Sequence, residues 1–335
     1  MGAGTVLKNV QALRAIAALA VALSHLVSYS PAIAVLGFGT IGVELFFVIS
    51  GFIMVYITND AAPRPLAFFR HRVVRVVPLY WLLTLAVFAL AAIAPQLPKS
   101  SHAEPLDLVR SLLFIPYVKH GSTLQPLLFQ GWTLNFEMVF YLLFAGSLVL
   151  RRQVHRVLMV SVIIALAALA GQIAGPLPPV VGFYTSPLIL CFALGMGLGL
   201  AYPRIGSGLP VISLLSFGVL QCAAMAGLLG PEAASFVRIS FAFAVVAVAL
   251  ALEQRGKVWD WPPIQLLGAA SYSLYLAHPF AAIGIEKLAR TFGLLDGPLV
   301  LAALAAAIAA MIAAGLALYR LVELPLQRAG RRLLG

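Results

Sequence analysis

The stretch Pro298-Leu-Val-Leu-Ala-Ala-Leu-Ala-Ala-Ala-Ile-Ala-Ala-Met-Ile-Ala-Ala-Gly-Leu-Ala-Leu-Tyr319 contains no charged residue. As a helix it covers roughly 30 Å, the thickness of a bilayer's hydrocarbon core. Comparable apolar runs recur along the chain, and the predicted spans are 10–31, 37–58, 76–94, 130–150, 157–174, 184–202, 210–229, 235–252, 264–286 and 298–319. The 335 residues are 62% hydrophobic and 10% charged, whereas an ordinary soluble domain is about 25% charged. That composition excludes a soluble enzyme, and continuous rather than alternating apolar runs exclude a β-barrel. The expected fold is all-α: one polytopic membrane helix bundle of ten transmembrane helices over 1–335, with no separate soluble domain.

A formal charge of +11 in a soluble chain suggests a nucleic-acid partner, so its placement matters. With ten spans both termini share a side. Of the Lys and Arg residues, only Lys99, Arg110, Lys119, Arg238, Lys287 and Arg290 fall on the opposite side. The positive-inside rule therefore puts both termini in the cytosol. The basicity reads as topology, and no nucleic-acid partner is expected. Four arginines, Arg64, Arg70, Arg72 and Arg75, crowd the cytosolic segment 59–75. The first apolar run carries Arg14 and His25 and lacks a small-residue cleavage site, so it is expected to stay in the mature chain.

Cys191 and Cys222 lie in apolar stretches without metal-ligand spacing and read as buried free thiols. No metal is expected. Gly195 and Gly199 form a small-xxx-small pair suited to close helix packing. The proline-rich segment 95–129 includes a short interfacial helix over 106–115, with Asp107 and Arg110 expected toward water.

A charge at mid-bilayer costs on the order of 2.5–3.5 kcal/mol on insertion scales, so each one retained is a functional candidate. These are Arg14 and His25, Glu44, Glu137 beside Asn135, and His278. His25, Glu44, Glu137 and His278 each lie roughly 9–12 Å below the outer end of their predicted span, at 1.5 Å per residue. Four ionisable groups from four helices are thus expected to share one layer. Arg14 and His25 are nearly three turns apart, on one helix face and about 16 Å apart along it. A guanidinium at the cytosolic mouth suits a phosphate, and a deeper imidazole suits proton transfer. Plainer roles exist for each: snorkelling for Arg14, a packing hydrogen bond for His25, satisfying carbonyls freed by Pro279 for His278, and pairing with buried cations for the glutamates. The His102-Ala-Glu-Pro-Leu-Asp107 spacing of a glycerolipid acyltransferase falls in a proline-broken outer loop and reads as chance. Serine-hydrolase, zinc-protease and P-loop motifs are missing from the sequence.

Five blocks, taken together, are distinctive. They are Leu13-Arg14-Ala15 followed by His25; Gly42-Val-Glu44-Leu-Phe46-Phe47-Val-Ile-Ser50-Gly51-Phe52; Arg72-Val-Val-Arg75-Val-Val-Pro78-Leu-Tyr80-Trp81; Trp132-Thr-Leu134-Asn135-Phe-Glu137-Met-Val-Phe140-Tyr141; and Ser271-Tyr-Ser273-Leu-Tyr275-Leu-Ala-His278-Pro279. In this order the chain resembles the acyltransferase 3 family of integral-membrane O-acyltransferases, and the Trp132–Glu137 block is most similar to exopolysaccharide-acetylating members. The resemblance implies a multi-pass protein of the bacterial cytoplasmic (inner) membrane. It implies transfer from acyl-CoA, with acetyl-CoA the expected donor, to a hydroxyl of a carbohydrate or lipid-linked acceptor at the outer leaflet. It implies His25 as general base, Glu44 and Glu137 as motif carboxylates of which one orients His25, and Arg14, Arg72 and Arg75 on the donor's phosphates. His278, Ser271, Trp132 and Asn135 are expected to line the site. Ala15 stands where many members carry glycine, and with no SGNH hydrolase-like domain after the last span, direct transfer is the expected route. An acyl-His intermediate is the variant.

A proton-coupled transporter or flippase is the alternative reading, since buried His and Glu also build proton relays. A scaffold subunit leaves the ionisable layer without a purpose.

Overall fold

The computed structural model describes residues 6–26, 41–58, 64–94, 104–118, 124–205, 230–295 and 299–333. Among them the architecture is all-helical, and the extended pairing is one isolated bridge, Val118 to Leu124. The helices are α1 (Lys8–Ser24), α2 (Ile41–Ile57), α3 (Pro65–Ile93), α4 (Pro105–Leu112), α5 (Gly131–Ser147), α6 (Gln153–Ile173), α7 (Pro179–Tyr184), α8 (Leu190–Ala201), α9 (Pro231–Gln254), α10 (Pro262–Ala269), α11 (Ser271–Thr291), α12 (Val300–Leu318) and α13 (Leu324–Leu333). Proline stands in the first turn of α3, α4, α7, α9 and α10, where its missing N–H costs nothing.

Among the described residues, five stretches are long and apolar enough to cross a bilayer, with α7–α8 and α12–α13 each taken as one, and six if the bent pair α10–α11 counts as a span. Helices α1, α2 and α5 have 17 residues each, the lower limit for a span. The expected span 210–229, with Cys222, lies outside the described residues, as does His102. The expected continuous span 264–286 is broken: α10 and α11 meet at 80°. The junction lies at Ala270, which is fully buried, so the freed backbone is covered by protein rather than lipid.

Contacts divide the chain into two compact units, Met1–Ile57 with Cys191–Leu321 and Thr58–Leu190 with Val322–Gly335. In the first unit α1 is anchored at its start. Glu253, at the end of α9, accepts the Lys8 N–H at 2.9 Å and the Asn9 N–H at 2.6 Å, a carboxylate where a helix leaves its N–H groups unpaired. Asn9 is buried and donates to the carbonyls of Ala249 and Lys257 at 3.1 and 2.9 Å. Along α1, Gly268 of α10 lets the backbone come close: a β-carbon there meets the Gln11 carbonyl oxygen at 2.0 Å.

Helices α2 and α8 cross through glycine. A β-carbon on Gly195 falls 2.0 Å from the Val48 carbonyl oxygen, and one on Gly51 falls 2.2 Å from that of Phe192. Gly199 faces Val55, whereas Gly197 points into open space. The small-residue pair Gly195 and Gly199 thus sits at the crossing. Gly195→Ala is expected to lower stability by about 1–3 kcal/mol through overpacking, read as a lower unfolding temperature in detergent, while Gly197→Ala leaves it unchanged. Equal effects of the two overturn this account of the crossing.

In the second unit, the C-terminal end of α4 is fastened to the middle of α3. The Tyr80 hydroxyl donates to the Ser111 carbonyl at 3.2 Å, Trp81 Nε1 donates to the Leu112 carbonyl at 2.8 Å, and the Leu127 N–H donates to Ser111 Oγ at 3.0 Å. The interfacial helix forms, with Arg110 partly exposed as expected, but Asp107 departs from the expected water-facing side. Asp107 and Ser111 are buried, and Leu106, Val109 and Leu113 are exposed. Asp107 turns inward with Arg110 3.6 Å away, and burial of Ser111 between Tyr80 and the Leu127 N–H sets that rotation. Arg156, expected as a topology signal, is also buried and donates to the carbonyls of Leu150 and Arg151 at 2.6 and 2.8 Å, so it closes the turn after α5.

Candidate active site

Arg14 and His25 project from α1 toward one neighbour, α11. Arg14 Nη2 donates to Ser271 Oγ at 2.9 Å and Nη1 donates to Gln11 Oε1 at 3.2 Å. His278 Nε2 lies 3.3 Å from His25 Nδ1, the rings meeting edge-on at 4.7 Å. Arg14 pairs with Ser271 and His25 with His278, so α1 and α11 run in the same direction at this contact. The seven positions from Ser271 to His278 are two turns, one face of α11. The bend at Ala270 makes this possible: it starts a new helix with Ser271, fully buried, beside Arg14.

Hydrogen bonds set the tautomers. His278 is fully buried and its Nδ1 lies 3.2 Å from the Leu274 carbonyl. A carbonyl only accepts, so His278 carries its proton on Nδ1 and its Nε2 is an acceptor. His25 caps the C-terminus of α1, with Nδ1 2.9 Å from the Val21 carbonyl. That ring also carries its proton on Nδ1, shared between Val21 and His278 Nε2, and its lone pair is on Nε2. Around His25 Nδ1 the structure places the Val21 carbonyl, the His278 imidazole and, at 3.4 Å, Ser24 Oγ.

Glu44, in the first turn of α2, is engaged elsewhere. It is buried, and its Oε1 accepts from Arg238 Nε of α9 at 3.0 Å. Its Oε2 is sealed without a hydrogen bond among the described residues. Arg238 was expected among the outer topological charges; the structure puts it inside α9 as the counter-ion of Glu44. The sequence signal was its position within the apolar run 235–252.

Arg72, Arg75, Glu137, Trp132 and Asn135 belong to the second unit. Between α3 and α5, Arg72 lies within electrostatic reach of Glu137 and Tyr141, and Arg75 within reach of Tyr141. The Tyr141 hydroxyl donates to Glu137 Oε1. The Arg72 guanidinium lies over the Phe68 ring at 5.6 Å, with Nε and Nη1 sealed from solvent and without a hydrogen-bond partner among the described residues. Sealed donors of this kind are costly unless an anion meets them. Asn135 is buried with Oδ1 unpaired among the described residues. Trp132 stands edge-on to Phe136 at 6.2 Å. The predicted layer of four ionisable groups is thus seen as two pairs in the first unit, His25 with His278 and Glu44 with Arg238, while Glu137 has Tyr141 in the second.

The family model described as "Acyltransferase domain" matches residues 7–320. The exopolysaccharide production protein ExoZ of Rhizobium meliloti (strain 1021) is 37% identical over 303 residues, 88% of this chain and 91% of that protein. No solved structure matches the chain.

Proposed function

The chain belongs to the acyltransferase 3 family, and from that premise we propose that it transfers an acetyl group from cytosolic acetyl-CoA to a hydroxyl of an exopolysaccharide or its lipid-linked precursor at the outer leaflet of the bacterial inner membrane. Ten spans with both termini cytosolic go with this reading, supported by the distribution of Lys and Arg.

What supports it foremost is the His25–His278 pair. With Nδ1–H committed to Val21 and His278, Nε2 of His25 is the basic atom. It takes the proton of the acceptor hydroxyl as that oxygen attacks the thioester carbonyl. The tetrahedral intermediate collapses with cleavage of the C–S bond, and the proton returns from His25 to the departing thiolate of coenzyme A. The positive charge that develops on the ring lies at the carbonyl end of α1, where backbone dipoles favour cations. Its Nδ1–H donates to His278 Nε2 throughout, so His278 acts as a positioning residue.

Arg72 and Arg75 supply anion contacts for the donor's phosphates, and the sealed, unpaired donors of Arg72 support that role. Arg14, held by Ser271 and Gln11, is a further phosphate contact. Arg72→Ala is expected to raise KM for acetyl-CoA by about ten- to a hundredfold, the size of a lost charged hydrogen bond, with a smaller change in KM for the acceptor. Unchanged acetyl-CoA affinity at several salt concentrations overturns the assignment.

The reaction is tested with purified protein in lipid nanodiscs, acetyl-CoA and deacylated polysaccharide. Release of free coenzyme A that depends on the acceptor, with one ester formed per thiol released, is the expected result. Movement of the polysaccharide across the membrane without thiol release favours the transporter reading.

A further inference from the structure

A second feature of the unit that holds Trp132 bears on the acceptor. Gln125, Phe129, Trp132, Phe136, Phe183 and Ser186 line a cleft of about 520 Å³, within the range of about 300–1,000 Å³ of small-molecule sites. We infer that this cleft binds a neutral glycan segment of the acceptor. The inference rests on the acyl-transfer reading above for the identity of the ligand, and on the lining for its chemistry.

The aromatic groups form a connected wall. Phe136 stacks on Phe183 at 4.0 Å and 26°, and meets Trp132 at 81° and Tyr184 at 79°. Such mutual contacts hold the rings in place, so they need no ordering when a ligand arrives. Polar groups interrupt that wall. The Gln125 side chain brings to the lining an amide, a group that both donates and accepts hydrogen bonds. Ser186 Oγ accepts from the Leu188 N–H at 3.4 Å, which leaves its O–H to donate.

A sugar ring has an apolar C–H face and a rim of hydroxyls. An aromatic wall serves the face, and an amide with a hydroxyl serves the rim. Two other ligand classes fit less well. An acyl chain needs no amide, and the first unit has a separate cavity of about 270 Å³ lined by Ile285, Leu288, Phe292 and Leu294 that is apolar throughout. A coenzyme A or phospholipid headgroup needs cations, and no charged side chain lines the aromatic cleft. In the proposed orientation, segments 124–132 and 183–188 both lie at the outer ends of their spans, the side from which a surface polysaccharide arrives.

The test titrates the full-length protein in nanodiscs with base-deacylated oligosaccharides made from the producing cell's own exopolysaccharide, read by tryptophan fluorescence and calorimetry without acetyl-CoA. Trp132→Ala is expected to weaken binding about tenfold, and Gln125→Ala about threefold to tenfold. Acetyl-CoA affinity stays unchanged in both. Phe183→Leu, which keeps an apolar side chain, serves as the second variant should Trp132→Ala not fold, and is expected to weaken binding too. Undiminished oligosaccharide binding in folded variants overturns the cleft assignment and leaves acyl transfer standing. Displacement of nothing but alkyl detergents from the cleft also overturns it. Oligosaccharide binding that depends on these residues, in a protein that releases no thiol from acetyl-CoA, upholds the cleft and overturns the reaction.

Discussion

His25→Ala protein is expected to insert and fold as the native chain does, yet to transfer acetyl groups about 10²–10⁴ times more slowly, the usual worth of a general base. His25 is half-buried at the C-terminal cap of α1, so truncation leaves little cavity, and acetyl-CoA binding is expected to persist. The partner variants make the assignment sharper. His278→Ala removes the side-chain acceptor that faces His25 Nδ1, leaving the Val21 carbonyl, and opens a fully buried site. His278→Gln offers a carbonyl oxygen to the same N–H. If His278 orients the base, the glutamine variant retains more of kcat than the alanine variant, the pH profile of kcat moves in both, and KM for acetyl-CoA stays constant. Stopped assays on protein of verified fold decide the matter. Native rates in His25→Ala, or an unmoved pH profile in both His278 variants, overturn the mechanism.

Arg238→Ala is expected to cost about 3–5 kcal/mol of stability, because it strands a buried carboxylate whose counter-ion it removes. Glu44 is 4% exposed, its Oε1 has Arg238 at 3.0 Å, and its Oε2 is already unpaired among the described residues. Loss of Arg238 leaves that side chain to neutralise by protonation or to draw water inward. A second change tests the cause: Glu44→Gln in the Arg238→Ala background removes the charge and is expected to restore part of the lost stability, a coupling between neighbouring sites that distant sites lack. Thermal unfolding in one detergent measures all four proteins. Additive losses mean that the two groups act separately, and the ion pair then has no structural role.

Helix existence was legible because its cause is local. The run 298–319 predicts a helix that forms over Val300–Leu318, since apolarity over one stretch is sufficient. The spacing of Arg14 and His25 correctly put both on one face, which α11 covers, because 3.6 residues per turn is a property of any α-helix. Gly195 and Gly199 were likewise readable as a packing edge. The bend at Ala270 was not: the break carries alanine rather than proline, and Gly268, two residues earlier, was the faint signal.

Partnership is where a linear reading fails. Composition and periodicity establish a membrane-embedded helical protein with an arginine and a histidine aligned on its first helix, because those properties sum over neighbouring residues, while the acyltransferase family rests on the five motif blocks and the match over residues 7–320. Which group meets which is another matter. Glu44 finds Arg238 across 194 positions and His25 finds His278 across 253, contacts set by how far each helix is rotated about its axis and where it crosses the next. No single segment carries that information; it arises when the helices pack and each buried polar atom must be met by a partner.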